Sequence, residues 1–333
     1  MTGHMDLLIR LGCELEHFGH DDKSLATARE AAAANPWFTV NDIIFAVDAI
    51  RRNMLAPETI NKWLSRYTAL PTAPRRIAVI MAGNIPLVGF SDLMCILAAG
   101  CIPCIKFSSK DTILMRYITN VIQSLSPDTI METYSPTGNY DGVIATGSDN
   151  TGRYFRNMFA GLPTIIRGTR GSAAILTGNE TQNELAGLRE DMFRYSGLGC
   201  RNVSVLLMPK DCDAATIGRT VAPDKKQINQ KYLNNYRSVR GRLFAEGISY
   251  IDTGTFVMTE GDDFPTALSN ITVCRYKTIS DAYDWLAAHE ERLQCVVGRN
   301  INHPRATGFG HAQFPYPWDY PDGIDVMEFI SSL

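Results

Sequence analysis

Ile77-Ala78-Val79-Ile80-Met81, followed by Ala82-Gly83-Asn84-Ile85-Pro86, is the stretch on which the fold turns. Five consecutive apolar residues with no polar alternation are the mark of a strand covered on both faces, as in parallel sheets. The Asn84-Ile85-Pro86 turn leads into a helix through Ala99, which Gly100 can end, and residues 101–107 read as the next strand. Asp111 is the expected N-cap of a helix through Leu125. Gly142-Val143-Ile144-Ala145-Thr146 is another strand, followed by Gly147-Ser148-Asp149-Asn150 and a helix to about Phe159. Residues 164–166 and 173–176 add further strands. Strands alternating with helices imply right-handed βαβ units in a doubly wound sheet, whose ligands sit beyond the C-terminal strand ends.

Working outward, residues 6–72 read as helical. Leu7, Leu8, Leu11 and Leu15 share a face, residues 26–34 are rich in alanine, Asn41 can cap residues 43–50, and Pro57 can open a helix through Trp63. On the C-terminal side a second α/β stretch is expected. Its strands are residues 203–208, 255–258, 270–276 and 294–297, and its helices are residues 227–242 and 281–289. The segment 308–323 is too apolar for a free linker and is expected to pack against a domain or a second subunit. The expected division is a helical layer (1–74), a dinucleotide-binding domain (75–180), a catalytic domain (181–305) and a packing tail (306–333).

The chain has 333 residues, too many for one comfortable core, with 45% hydrophobic and 20% charged residues. A formal charge of -3 argues against a nucleic-acid partner. No apolar run approaches the ~20 residues that span a bilayer. The first residues lack a basic region followed by an apolar one, so a cytoplasmic location is expected. Eight cysteines in a chain of this length do not make a disulfide framework. Cys101-Ile102-Pro103-Cys104 has no second pair at zinc spacing and reads as buried strand, and no metal site is expected.

Ser196-Gly197-Leu198-Gly199-Cys200-Arg201-Asn202 sets one cysteine among glycines, just before an apolar run. Glycine lets the backbone approach a bound group, thiolates attack carbonyl carbon well, and a neighbouring cation favours the thiolate. Cys200 is the candidate nucleophile.

Four segments occur in order: Met81-Ala82-Gly83-Asn84-Ile85-Pro86, Ile105-Lys106-Phe107-Ser108-Ser109, Ala145-Thr146-Gly147-Ser148 and Gly199-Cys200. Together they resemble the aldehyde dehydrogenase superfamily, and more closely its long-chain acyl-CoA reductase branch, the kind that supplies fatty aldehyde in bacterial luminescence. The resemblance covers about residues 75–300, and residues 314–329 also look like the end of that branch. It implies an α/β fold with a doubly wound dinucleotide-binding domain and a second α/β catalytic domain. It implies that Asn84 and the Cys200 amide serve a developing oxyanion, that Lys106 contacts the adenosine ribose, and that Thr146, Gly147 and Ser148 hold the pyrophosphate. Dehydrogenases of the family that prefer NAD often carry Glu where this chain has Ser109, beside Lys110; that change favours a 2′-phosphate and hence NADPH, with NADH as the second candidate.

Two departures stand out. The family segment whose Glu activates water falls on Arg167-Gly168-Thr169-Arg170-Gly171-Ser172, which has no carboxylate. The Glu that holds the nicotinamide ribose, expected near residues 268–272, is also missing. Arg167 and Arg170 are either phosphate contacts or exposed structural arginines. The resemblance implies reduction of an acyl-CoA or acyl carrier protein thioester to an aldehyde through acyl-Cys200. It also implies a homo-oligomer. Two other readings are an acyl transferase or thioesterase-like use of the same acyl-cysteine, and a non-catalytic binding module on an old enzyme fold.

Overall fold

Side-chain caps set where two of the N-terminal helices begin. The computed structural model describes residues 2–68, 70–147 and 149–333. Helix α1 (Thr2–Glu14) buries Leu7, Leu8 and Leu11, and Leu15 continues the stripe in a short 3-10 turn. Helix α2 (Asp22–Ala34) starts where Asp21 accepts from the Ser24 amide, 2.9 Å. Helix α3 (Val40–Ala49) is capped by Thr39 rather than Asn41, because the Thr39 hydroxyl accepts from the Asp42 amide while donating to the Asp42 carboxylate. Pro57 occupies the first position of α4 (Pro57–Leu64), where its missing N–H costs nothing.

The parallel sheet that follows contains β1 (Arg76–Ile80), β2 (Ile102–Lys106), β3 (Glu132–Thr133), β4 (Gly142–Thr146) and β5 (Thr164–Arg167). The intervening helices are α5 (Phe90–Ala98), α6 (Thr112–Leu125) and α7 (Asp149–Met158). The strand order is β3-β2-β1-β4-β5, with Val79 of β1 in register with Ile105 on one side and Ile144 on the other. The chain therefore leaves β1 toward one edge and returns on its other side at β4. That reversal opens a crevice at the C-terminal strand ends, the usual place for a ligand in such a sheet.

The second sheet is built from β6 (Gly171–Ile175), β7 (Val203–Pro209), β8 (Ile251–Asp252), β9 (Val257–Glu260), β10 (Asn270–Tyr276), β11 (Leu293–Val297) and β12 (Ala306–Thr307). Its order is β12-β11-β6-β7-β10-β9-β8, and only the β8–β9 pair is antiparallel. Helices α8 (Gln182–Phe193), α9 (Ala214–Val221), α10 (Gln230–Ala245) and α11 (Ile279–Ala288) belong to the same unit. The chain returns to the first unit with α12 (Val326–Ser331).

The two compact units divide between Thr169 and Arg170, and the first takes back Phe314–Leu333. The expected boundary after residue 180 is thus displaced: β6 hydrogen-bonds to β7 and β11, not to the first sheet. The aromatic tail packs on its own chain. Phe314 lies 4.9 Å from Phe45 between ring centres, Trp63 donates to the Tyr320 hydroxyl at 2.7 Å, and Tyr67 donates to Asp325 at 2.7 Å. Among the described residues no helix is long and apolar enough to cross a membrane.

Candidate active site

In the first unit the expected cofactor and oxyanion residues gather at the C-terminal edge of the sheet. Asn84 follows β1, Lys106 is the exposed last residue of β2, Ser109 is exposed in the loop beyond it, Thr146 ends β4 and Gly147 follows it. Ser148 lies outside the described residues. The loops after β1 and β2 are joined: the Met81 amide donates to the Lys106 carbonyl at 3.1 Å. A methyl group on Gly83 would collide with the Ser108 side chain, so that position needs glycine for close approach.

Asp111 does more than begin a helix. It stands at the N-cap position of α6 but makes no side-chain cap bond. Its carboxylate instead accepts from the Leu87 amide, 2.7 Å away across the crevice edge. Leu87 has φ 57°, a left-handed conformation costing a residue with a β-carbon about 1–2 kcal/mol. This is why α5 starts only at Phe90 rather than directly after Pro86. Asp111 is buried, and burial pushes its carboxyl up to about 7 against the pull of the Leu87 hydrogen bond. Asn35 fixes the same loop from α2's end, donating to the Lys110 carbonyl at 3.1 Å.

Arg167 is neither exposed nor offered to a phosphate. It ends β5 with 3% of its side chain exposed, and its Nη1 donates to both Asp92 oxygens, at 2.9 and 2.7 Å. Asp92 lies on α5 and is also buried, so the pair is internal, and a buried arginine needs such a partner. Cys101, just before β2, and Cys104 within it are buried and form no disulfide.

Cys200 belongs to the second unit, on the turn that leads into β7, and is partly exposed. The turn before it is strained. Tyr195, Ser196 and Gly197 have φ of 55°, 56° and 69°, three consecutive left-handed residues of which only one is glycine. Asn202 offsets that strain. Its Oδ1 accepts from the Gly199 amide at 2.8 Å, and its Nδ2 donates to the Asp191 and Arg194 carbonyls, each at 3.0 Å. At about 0.5–1.5 kcal/mol per bond, these three roughly match the cost of the two non-glycine residues. Ser172 of β6 donates to the Cys200 carbonyl at 2.9 Å, anchoring the turn to the sheet.

Asp191 ties this turn to the segment before the tail. It accepts from the Gly310 amide at 2.7 Å and the Ala312 amide at 2.9 Å, while Arg201 Nε donates to the Ala312 carbonyl. Asp191 is fully buried, and burial pushes its carboxyl up to about 7 although both amides lower it. Gly187 of α8 lies so close to Gly310 that a methyl would meet its backbone nitrogen at 2.8 Å. Asp111, Asp191 and Asn202 are the residues that reading the sequence missed in these roles. For Asn202 a signal existed, an amide two positions after the cysteine; for the two aspartates none did. His303 is committed to Glu290 at 3.1 Å, and His311 is an exposed residue of the segment that Asp191 holds.

No protein-family model matches the sequence, and no curated protein sequence is significantly similar to it. Solved structures do match. An oxidoreductase from Marinobacter aquaeolei superposes with TM-score 0.68 at 14% identity, over 95% of this chain and 79% of that one. A salicylaldehyde dehydrogenase from Pseudomonas putida G7, complexed with salicylaldehyde, gives 0.67 at 14% identity, covering 93% and 77%. A glyceraldehyde-3-phosphate dehydrogenase from Methanocaldococcus jannaschii, complexed with NADP, gives 0.62 at 12% identity, covering 90% and 76%. The chain has the aldehyde dehydrogenase fold, with two α/β domains.

Proposed function

We propose that this protein reduces an acyl thioester, with coenzyme A as the thiol carrier, to the corresponding aldehyde with NADPH, through a covalent acyl-Cys200. The observation that carries the reading is the Cys200 turn. A partly exposed thiol is held on a strained, glycine-flanked turn by Asn202 and Ser172, in a chain with the aldehyde dehydrogenase fold. Such strain costs stability and persists where surrounding bonds over-determine it.

The residues at the first sheet's C-terminal edge fit a dinucleotide. Lys106 is an exposed cation, Gly147 sits in a strand-to-helix turn, and Ser109 presents no carboxylate to a 2′-phosphate. When bound, the nicotinamide cofactor supplies the hydride. Lys106 and Ser109 would hold its adenosine ribose, and Thr146 and Gly147 its pyrophosphate.

The Cys200 thiolate adds to the thioester carbonyl carbon, and the Asn84 amide group and the Cys200 N–H donate to the oxyanion. Each such donor is worth about 3 kcal/mol of barrier. Collapse of the adduct forms the Cys200–acyl bond and expels the coenzyme A thiolate. After hydride addition at the same carbon, the resulting thiohemiacetal alkoxide re-forms the carbonyl as its carbon–sulfur bond breaks, releasing aldehyde and regenerating the Cys200 thiolate. Segment 167–172 holds no carboxylate, and Arg167 there is locked to Asp92, so this segment brings no general base to activate water against the acyl-enzyme.

Intact-protein mass spectrometry after mixing with acyl-CoAs of varied chain length, with and without NADPH, tests the reading. An adduct on Cys200 that disappears as NADPH is oxidised supports reduction. An adduct indifferent to NADPH replaces reduction with acyl transfer. No adduct from any acyl-CoA overturns it.

A further inference from the structure

The second unit carries a groove that the proposed chemistry does not use. It has a volume of about 590 Å³ and is lined by Lys225, Arg237 and Arg240, with Tyr236, Asp252 and Gly254. Three cations face one carboxylate in a chain whose net charge is -3. That carboxylate is already occupied: it accepts from the Tyr236 hydroxyl at 2.6 Å, the Gly254 amide at 2.8 Å and Arg240 at 3.4 Å. Lys225 and Arg237 make no ion pair among the described residues, and Arg237 meets only the Asn234 amide oxygen, at 3.1 Å. The Lys225 ammonium is folded over Gly254, 3.2 Å from where a β-carbon would stand, and Gly254 has φ 86°. A glycine is required there, and it keeps the groove open beneath the lysine.

Position makes the groove relevant. Strands β7, β10 and β9 are parallel neighbours in that order, so their N-terminal ends share one edge of the sheet. Cys200 lies three residues before β7 and Gly254 three residues before β9. Two strand intervals separate them, roughly 10 Å sideways at the usual strand spacing. Tyr232 of α10 packs edge-on against Phe193, 6.2 Å between ring centres, so the helix bearing Arg237 and Arg240 abuts the start of the Cys200 turn.

We infer that this groove binds the phosphate-bearing end of the thioester donor, the adenosine 3′-phosphate and diphosphate of coenzyme A. This rests on the acyl-CoA reading of Cys200. Guanidinium and ammonium groups without partner carboxylates are suited to phosphate oxygens, and the flexible pantetheine arm bridges the distance from the groove to the thiol.

The test uses the full chain with coenzyme A as the calorimetric probe, comparing wild type with K225E/R237E and the milder K225Q/R237Q. Thermal melts confirm folding, which both exposed positions should leave intact. Coenzyme A should bind K225E/R237E at least about tenfold more weakly than wild type, with an intermediate loss in the neutral variant and a steep salt dependence in wild type. The ratio of kcat/KM for an acyl-CoA over the acyl-N-acetylcysteamine thioester, which lacks phosphates, should fall by the same factor. Equal binding to all three proteins, or none to wild type, overturns the groove. Failure of both thioesters to acylate Cys200, with coenzyme A still bound in the groove, would instead overturn the reading of Cys200 and leave a phosphate site.

Discussion

The Asn84 loop and the Cys200 turn solve the same mechanical problem differently. Each follows or precedes a parallel strand, each contains a non-glycine residue at positive φ, and each is held by a buried polar side chain. In the Asn84 loop the Leu87 amide donates to one oxygen of Asp111, whose other oxygen is buried without a partner among the described residues. The Cys200 turn has Asn202 with three bonds, and behind it Asp191 with both oxygens engaged. The two buried carboxylates therefore differ: Asp111 accepts one backbone amide where Asp191 accepts two.

Replacing the nucleophile should give the largest effect. Cys200→Ser should eliminate the acyl adduct and lower turnover at least about 1000-fold while leaving dinucleotide binding, followed by fluorescence titration, unchanged. Retained acylation would remove Cys200 from its role and the comparison with it. Next, Asn84→Ala should cut kcat about 100-fold with little change in KM, as loss of one oxyanion donor does.

Asn202→Ala should lower stability by about 2–3 kcal/mol, because it deletes three partly buried hydrogen bonds and leaves two carbonyls unsatisfied. Urea unfolding measures this. A change under about 0.5 kcal/mol would mean that the left-handed run is held by something else.

The two aspartates separate the mounts by pH. Burial raises both carboxyls to about 7, well above their ordinary value near 4. Between those values the folded chain keeps protons that the unfolded chain has lost, so each group makes stability fall as pH rises from about 4 to 7, with no further change above. Asp111→Asn keeps an acceptor for Leu87 and removes the charge, so it should flatten that part of the curve and stabilise the protein above pH 7. Asp191→Asn should also flatten it but lose about 1 kcal/mol throughout, since one amide oxygen cannot serve both Gly310 and Ala312. Identical curves for the two variants would refute the asymmetry. The smallest effect expected is from Ser109→Glu, which should shift preference from NADPH toward NADH by about tenfold in the kcat/KM ratio.

Much of this was legible in the residues. The apolar cores of β1 (77–80), β4 (143–145) and β7 (205–208) are uninterrupted and short, so strand character follows from composition, and alternation with helices makes the pairing parallel. Pro57 at the first position of a helix is a local device that acts wherever it occurs. Errors came where two local options had similar energy. Thr39 and Asn41 are both good caps, and the Asp42 side chain decided between them. Residues 171–175 are strand by composition, but no local feature says which sheet they join; pairing to β7 and β11 is settled by partners distant in sequence.

By itself the sequence determined the alternation of elements, the burial of the cysteines at β2 and the setting of Cys200 just after Gly197 and Gly199, because these depend on the intrinsic preferences of nearby residues. Tertiary structure alone decided that Asp111 would grip Leu87, that Asp191 would hold Gly310 and Ala312, and that Arg167 would turn inward to Asp92. It also decided that Lys225, Arg237 and Arg240 would share a groove. Each of those is a bond or a placement between residues far apart along the chain. Whether a charged side chain caps a helix, faces solvent or braces a loop depends on which backbone amides and opposite charges folding brings within about 3 Å of it.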